Sequence, residues 1–165
     1  MISRSVRQQS KTSDKGEALD RFILDFGVDK SKVDLSGTRW IKRFFCKIPD
    51  GMEEKDVEDS FFSGESYAIF DKKIIPTLKL LDLVRGAGAT CLKLNDKASW
   101  LFICGRDILS QGIAGGQEKD GLKSKKIIVC NLRNEIIGVA QRSGKELDNY
   151  WNIGDYLKRE MHKEN

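Results

Sequence analysis

The chain has 165 residues, 39% of them hydrophobic and 33% charged, with 29 Lys and Arg against 25 Asp and Glu for a net charge of +4. That is enough apolar material for one ordinary domain or two small ones to bury a core without disulfides. No apolar run approaches the ~20 residues of a membrane-spanning helix, and the polar opening MISRSVRQQSKTSDK lacks the apolar stretch of a secretory signal, which points to a protein of the cell interior with no membrane partner.

Residues 1–14 are basic and polar with almost nothing to bury, and are expected to form a disordered tail. From Lys15 to Phe26, the side chains Leu19, Phe22, Ile23 and Phe26 recur at offsets of three and four. This is one apolar helix face, with Asp14 placed as N-cap and Gly27 as the closing residue. Trp40, Ile41, Phe44, Phe45 and Ile48 predict an aromatic-rich strand, and Pro49-Asp50-Gly51 a turn. A short acidic helix is expected over 53–60. Ser66 to Phe70 predicts a strand, and Asp71 is placed as the cap of an apolar helix holding Ile74, Ile75, Leu78, Leu81, Leu83 and Val84. Pro76 would sit in the first turn of that helix, where its missing N–H is harmless. Arg85-Gly86-Ala87-Gly88 ends it and marks the boundary between two halves.

The second half reads as short strands at close spacing. Cys91, Leu92 and Leu94 begin one, which Asn95-Asp96 turns, and Ala98 to Cys104 predicts another. A short helix and a Gly- and Lys-rich loop lead to Ile127–Leu132. Arg133-Asn134-Glu135 turns the chain into Ile136–Gln141, the clearest hairpin signal present. The tail NYWNIGDYLKRE predicts a last helix ending in basic residues. This pattern suits a small barrel with a helix or two.

Catalytic chemistry is poorly represented. The only histidine, His162, stands three residues from the end, which disfavours a Ser-His or Cys-His pair. Cys46, Cys91, Cys104 and Cys130 each sit in a strand-like run and none forms C-x-x-C, so reduced, buried thiols without a metal are expected. Gly86-Ala87-Gly88 and the glycines from Gly112 to Gly116 fail the dinucleotide pattern, and no P-loop is present. No catalytic residue, metal ligand or cofactor is assigned. Trp100, Tyr150 and Trp151 could stack on bases, but core positions are favoured for them.

Charge is segregated along the chain. RWIKRFFCK at 39–47 is basic, DGMEEKDVED at 50–59 acidic, and KSKK at 123–126 basic. In WLFICGRDILSQGI, residues 100–113, an apolar strand stops at Gly105, and Asp107 is placed as the cap of the helix that follows. Arg106 would then sit at a helix N-terminus, a place suited to a phosphate. A well-made turn without a ligand is the alternative, and both stay open.

The blocks SWLFICGRDILSQGI, KKIIVCNLRNEIIGVAQ and NIGDYLKRE resemble a PUA domain, the small RNA-binding pseudobarrel. The version in the Nip-seven family of ribosome biogenesis factors is the closer likeness. It covers about residues 89–160: an apolar strand leading into a Gly-polar turn and short helix, as at Phe102 to Gly112, a G-x-A segment at Gly138–Ala140, and an IGDYL-like helix start at Ile153–Leu157. The resemblance implies an α+β chain, with an N-terminal mixed α/β domain over 15–88 and a C-terminal PUA-like β pseudobarrel with short helices over 89–165. It implies a non-catalytic RNA-binding protein of large-subunit ribosome biogenesis or rRNA processing. Its partners would be rRNA or pre-rRNA and ribosome assembly proteins, and its place the cytoplasm, or the nucleolus and nucleus in a eukaryote. Arg106, Lys123, Lys125, Lys126, Arg142, Lys145, Lys158 and Arg159 are the candidate RNA contacts, and Arg39, Lys42 and Arg43 the candidate protein-partner contacts. The competing expectations are a protein–protein adaptor and an RNA-targeting accessory subunit of an RNA-modification enzyme.

Overall fold

Leu19, Phe22, Ile23 and Phe26 are all buried, as one face of a helix should be. The computed structural model of the chain describes residues 4–51, 65–116 and 124–156. In it this helix, α1, runs Arg4–Leu24, so residues expected as a disordered tail belong to its opening turns and Asp14 is no cap. Extension is cheap once a helix is nucleated, and neither Pro nor Gly precedes Gly16 to stop it. Gly27 ends the segment at φ 71, and its N–H donates to the Leu24 carbonyl at 2.8 Å.

The aromatic stretch folds as a hairpin rather than one strand. β1 (Thr38–Ile41) and β2 (Phe44–Lys47) pair antiparallel, and the chain reverses at Lys42-Arg43 with Lys42 at φ 51. No Gly or Asn announces that turn in the sequence. β3 (Glu65–Asp71) and β4 (Lys73–Pro76) form a second hairpin, reversing about Lys72 at φ 58. The helix expected from Asp71 therefore starts later, as α2 (Leu78–Gly86). Proline drives the residue before it, Ile75, out of the helical region, Ile74 is held extended by pairing with Phe70, and Thr77 caps the helix by accepting from the Leu80 N–H. The four strands make one antiparallel sheet in chain order. The acidic helix expected over 53–60 lies outside the described residues.

In the second half β5 (Cys91–Leu94) is followed by a helix, α3 (Asp96–Ile103), where a strand was expected over Ala98–Cys104. Asn95 is its N-cap, with the side chain accepting from the Ala98 N–H at 2.9 Å. The apolar run hides a helical face because only Ser99 and Phe102 are buried in it, while Trp100 is 67% exposed. Then come β6 (Ile113–Gly116), β7 (Lys126–Cys130), β8 (Ile136–Ser143) and β9 (Glu146–Asn152). The expected hairpin is β7–β8, with Asn134 in its turn at φ 64. Much of the tail expected as helix is strand β9; helix begins only at Gly154. The five-stranded sheet has the order β6-β5-β7-β8-β9, with β5 and β7 parallel and the other pairs antiparallel.

This sheet is buried on both faces. Ile127, Val129, Ile137 and Ala140 pack with Leu94, Phe102, Ile108 and Leu147. Ile128, Cys130, Ile136, Val139 and Trp151 instead share a core with α1, β2, β3, β4 and α2. The sequence boundary at 85–88 is therefore no boundary in the core. Polar ties cross the same seam: Lys126 to Asp25, the Tyr150 hydroxyl to the Ile74 carbonyl at 2.9 Å, and Arg85 to the Asn134 carbonyl at 3.0 Å. Burial pushes the Tyr150 phenol up to about 12, so it stays protonated and remains a donor. None of the four cysteines is in a disulfide; Cys46 and Cys130 are buried as expected, Cys91 is half-buried, and Cys104 is exposed because it caps the end of α3 instead of lying in a strand. The Cys91 thiol on β5 donates to the Ala89 carbonyl at 3.9 Å, and its interaction with Cys130 on neighbouring β7 pulls the Cys130 thiol down and pushes the Cys91 thiol up.

Candidate functional site

The segment CGRD closes α3 rather than opening a helix. The Gly105 N–H donates to the Phe102 carbonyl at 2.9 Å and the Arg106 N–H to the Leu101 carbonyl at 3.0 Å. These are the two bonds of a Schellman cap, with Gly105 at φ 94 in the left-handed position. Arg106 thus follows a helix C-terminus, where orphan carbonyls carry partial negative charge and favour a cation. No N–H array faces an anion here, so any phosphate affinity comes from side chains. Gly105→Ala should cost at least about 1 kcal/mol, or ~3 °C in melting temperature, because the left-handed backbone is penalised; thermal denaturation would show it.

Asp107 is not a helix cap either. Its carboxylate accepts the Asn149 N–H at 2.8 Å, while the Asn149 side-chain amide donates to the carbonyls of Phe102 at 2.6 Å and Arg106 at 3.1 Å. Asn152 donates to Asn149 at 3.1 Å and accepts from the Gly154 N–H at 2.8 Å. Ile108 bridges to Leu147 on β9. After a 3-10 turn at Ser110–Gly112, the Gly112 carbonyl accepts from the Asn95 N–H at 2.9 Å. A Cβ on Gly112 would stand 2.5 Å from that of Ala98, so the loop lies directly on α3.

Between α3 and this pinned loop is a groove of about 530 Å³. Its wall carries Lys97 and Leu101 from the helix and Arg106, Leu109 and Gln111 from the loop. Lys97 and Arg106 are exposed and form no ion pair among the described residues. Trp100 flanks Leu101 on the helix, exposed rather than in the core, whereas Trp151 is buried and Tyr150 half-buried. Lys97, Leu101 and Leu109 were not expected as site residues, and for Trp100 a core position was favoured over base stacking, since the strand expected over Ala98–Cys104 gave no face shared with the loop. The i, i+4 spacing of Lys97 and Leu101 is the signal a helical reading would have used.

Of the predicted RNA contacts, Arg106 lines the groove. Lys125 is exposed, and its carbonyl accepts the N–H of the half-buried Arg142 at 2.8 Å. Arg142 pairs in turn with Leu147, the residue that Ile108 bridges from the other side. Lys145 is exposed at the tip of the β8–β9 hairpin. The topology thus brings Lys125, Arg142 and Lys145 to one end of the sheet, across β9 from the groove loop. Lys126 does not join them. It is 6% exposed and ion-paired with Asp25, with its ammonium 4.7 Å from the Tyr150 ring centre. Strand alternation turns it inward while Lys125 faces out. Lys123, Lys158 and Arg159 lie outside the described residues. Of the predicted partner contacts, Lys42 and Arg43 are exposed in the β1–β2 turn and Arg39 is exposed on β1, opposite Cys46 and away from the turn.

Among the described residues no three His, Cys, Asp or Glu side chains gather as metal ligands, and no helix is long and apolar enough to cross a membrane. No protein-family model matches the chain, and no curated protein sequence is similar enough to match. Among solved structures the chain is similar to a conserved PUA domain protein from Thermoplasma acidophilum, with 13% identity and a TM-score of 0.50. The likeness covers 90% of this chain and 95% of that one. At that identity it speaks for the fold, and the fold is PUA-like.

Proposed function

We propose that the chain is a non-catalytic RNA-binding protein that takes RNA in the groove between α3 and the 104–112 loop. The observation that carries this is the groove itself: two cations, Lys97 and Arg106, without ion-pair partners among the described residues, set beside exposed apolar side chains on a loop that β9 holds rigid. Cations supply phosphate contacts, and an exposed indole such as Trp100 is a stacking surface worth about 1–3 kcal/mol per base. Lys125, Arg142 and Lys145 would extend the track. In this reading the second sheet belongs to a PUA-like pseudobarrel that shares its core with the α/β part preceding it, and the RNA is rRNA or pre-rRNA met during large-subunit assembly, alongside assembly proteins.

The test is fluorescence anisotropy with a labelled stem-loop RNA carrying single-stranded flanks, across a salt series. Arg106→Ala should leave stability within ~0.5 kcal/mol, as an exposed side chain does. It should weaken binding several-fold and make the slope of log K against log salt shallower by the equivalent of about one phosphate. Affinity indifferent to salt, or unchanged in both Arg106→Ala and Lys97→Ala, would sink the proposal.

A further inference from the structure

The two hairpins of the first sheet reverse at the same end. Ile41 pairs with Phe44 around Lys42-Arg43, and Asp71 with Lys73 around Lys72. β2 and β3 are neighbours, and the Phe70 N–H donates to the Arg43 carbonyl at 2.8 Å, so the tips stand side by side. With strands about 4.8 Å apart, the hairpin axes are roughly 10 Å apart.

Each tip places an exposed lysine in the left-handed region, Lys42 at φ 51 and Lys72 at φ 58. That conformation disfavours an L side chain and suits Gly or Asn. Lys72 makes no hydrogen bond or ion pair among the described residues, so nothing local repays a lysine there. Strain kept without a structural return points to function. Arg43 stands beside them, its guanidinium 5.4 Å from the Phe44 ring centre. Lys15 adds an ammonium by donating to the Lys42 carbonyl from α1. Against these cations the tips carry Asp71, and α1 carries Asp14 and Glu17 next to Lys15 in sequence.

We propose that the paired hairpin tips are a second RNA contact, in which Lys42, Arg43 and Lys72 hold the phosphate backbone; this rests on the reading of the chain as an RNA-binding protein. A protein partner is the poorer fit. Protein interfaces are depleted in lysine and centre on apolar anchors, and no large exposed apolar residue lies at the tips among the described residues. A polyanion needs only cations on a rigid frame.

The double variant Lys42→Asn, Lys72→Asn removes both charges with a residue that tolerates the left-handed region. With the labelled stem-loop RNA it should bind about tenfold more weakly, with a salt slope shallower by the equivalent of about two phosphates, and Lys72→Asn alone should show no fall in melting temperature. Lys42→Arg, Lys72→Arg should bind like the wild type. Should the double variant fail to fold, Lys72→Asn alone carries the test, and its salt slope should be shallower by the equivalent of about one phosphate. RNA binding unchanged in the Asn variants overturns the inference, and loss of poly-glutamate binding in place of RNA binding would assign the tips to an acidic protein instead. If Arg106→Ala weakens RNA binding and the tip variants do not, the groove reading survives and this one falls. If the tip variants weaken binding and neither Arg106→Ala nor Lys97→Ala does, the groove reading falls while the tip contact stands. A wild-type protein that does not bind the RNA at all removes both.

Discussion

Gly138→Ala is expected to unfold the protein at temperatures where the wild type is intact. A Cβ at Gly138 would stand 2.2 Å from the Trp151 carbonyl oxygen, 2.8 Å from the Asn152 Cα and 2.7 Å from the Phe102 ring. Two of those atoms are backbone of β9, which pairs with β8 at this point through Gly138 and Asn152. Neither can swing aside as a side-chain tip could. Making room means separating β8 from β9, and the expected loss is about 3–5 kcal/mol, at the severe end for overpacking. In a chain of this size that is on the order of 10 °C of melting temperature. Gly86→Ala is the control: nothing lies within 4 Å of its added methyl and the residue is helical, so a gain of up to ~1 kcal/mol is expected. Circular dichroism melts of the two variants check both. Equal melting temperatures would mean that β8 and β9 are not packed as described.

Lys126→Ala comes next in size. The Lys126 ammonium pairs with Asp25 with only 7% and 16% of their side chains exposed, and the Lys126 N–H also donates to the Asp25 carbonyl at 2.7 Å. Removing the ammonium strands a carboxylate against the Phe22 and Tyr150 rings, which the ammonium now faces at 5.6 and 4.7 Å. Breaking one side of such a pair costs about 3–5 kcal/mol. The double variant Asp25→Ala, Lys126→Ala should be less damaged than the sum of the singles, since neither charge is then left alone. Urea denaturation of the four proteins closes the cycle. The folded fraction of Lys126→Ala should bind RNA as the wild type does, in contrast to the RNA-binding role that the KSKK run suggested. Additive losses would show that the two groups do not interact.

The elements that could be read ahead of the structure are those whose periodicity matches their burial. On α1 the side chains at offsets of three and four are the buried ones, and β7 and β8 carry continuous apolar runs because their sheet is covered on both faces. The elements that misled are those where the two part. α3 leaves Trp100 and Leu101 to solvent, so its run shows no helical stripe, and the Asn95 cap passed for a turn. The hairpin turns at Lys42 and Lys72 use residues that composition does not mark as turn formers. The site suffered in proportion. Arg106 was found because Gly105 marks a reversal in any reading, but Lys97 and Leu101 share a groove with it only if 96–103 is helical. The fate of Lys126 depended on strand phase, which a run of adjacent lysines does not reveal.

The seam between α1 and the second sheet also sets the order in which the molecule can be completed. Asp25 and Lys126 are 101 residues apart, and the apolar stripe of α1 shares its core with Ile128, Val139 and Trp151. At about 5–20 residues per second, translation leaves that stripe without its covering sheet for roughly 5–20 s after Phe26 is added. During this interval Phe22, Ile23 and Phe26 can be covered only in part, by the first hairpins and α2. Synthesis therefore leaves a sticky half-product every time the chain is made, and slowing elongation lengthens the window in which it can aggregate or be held by a chaperone.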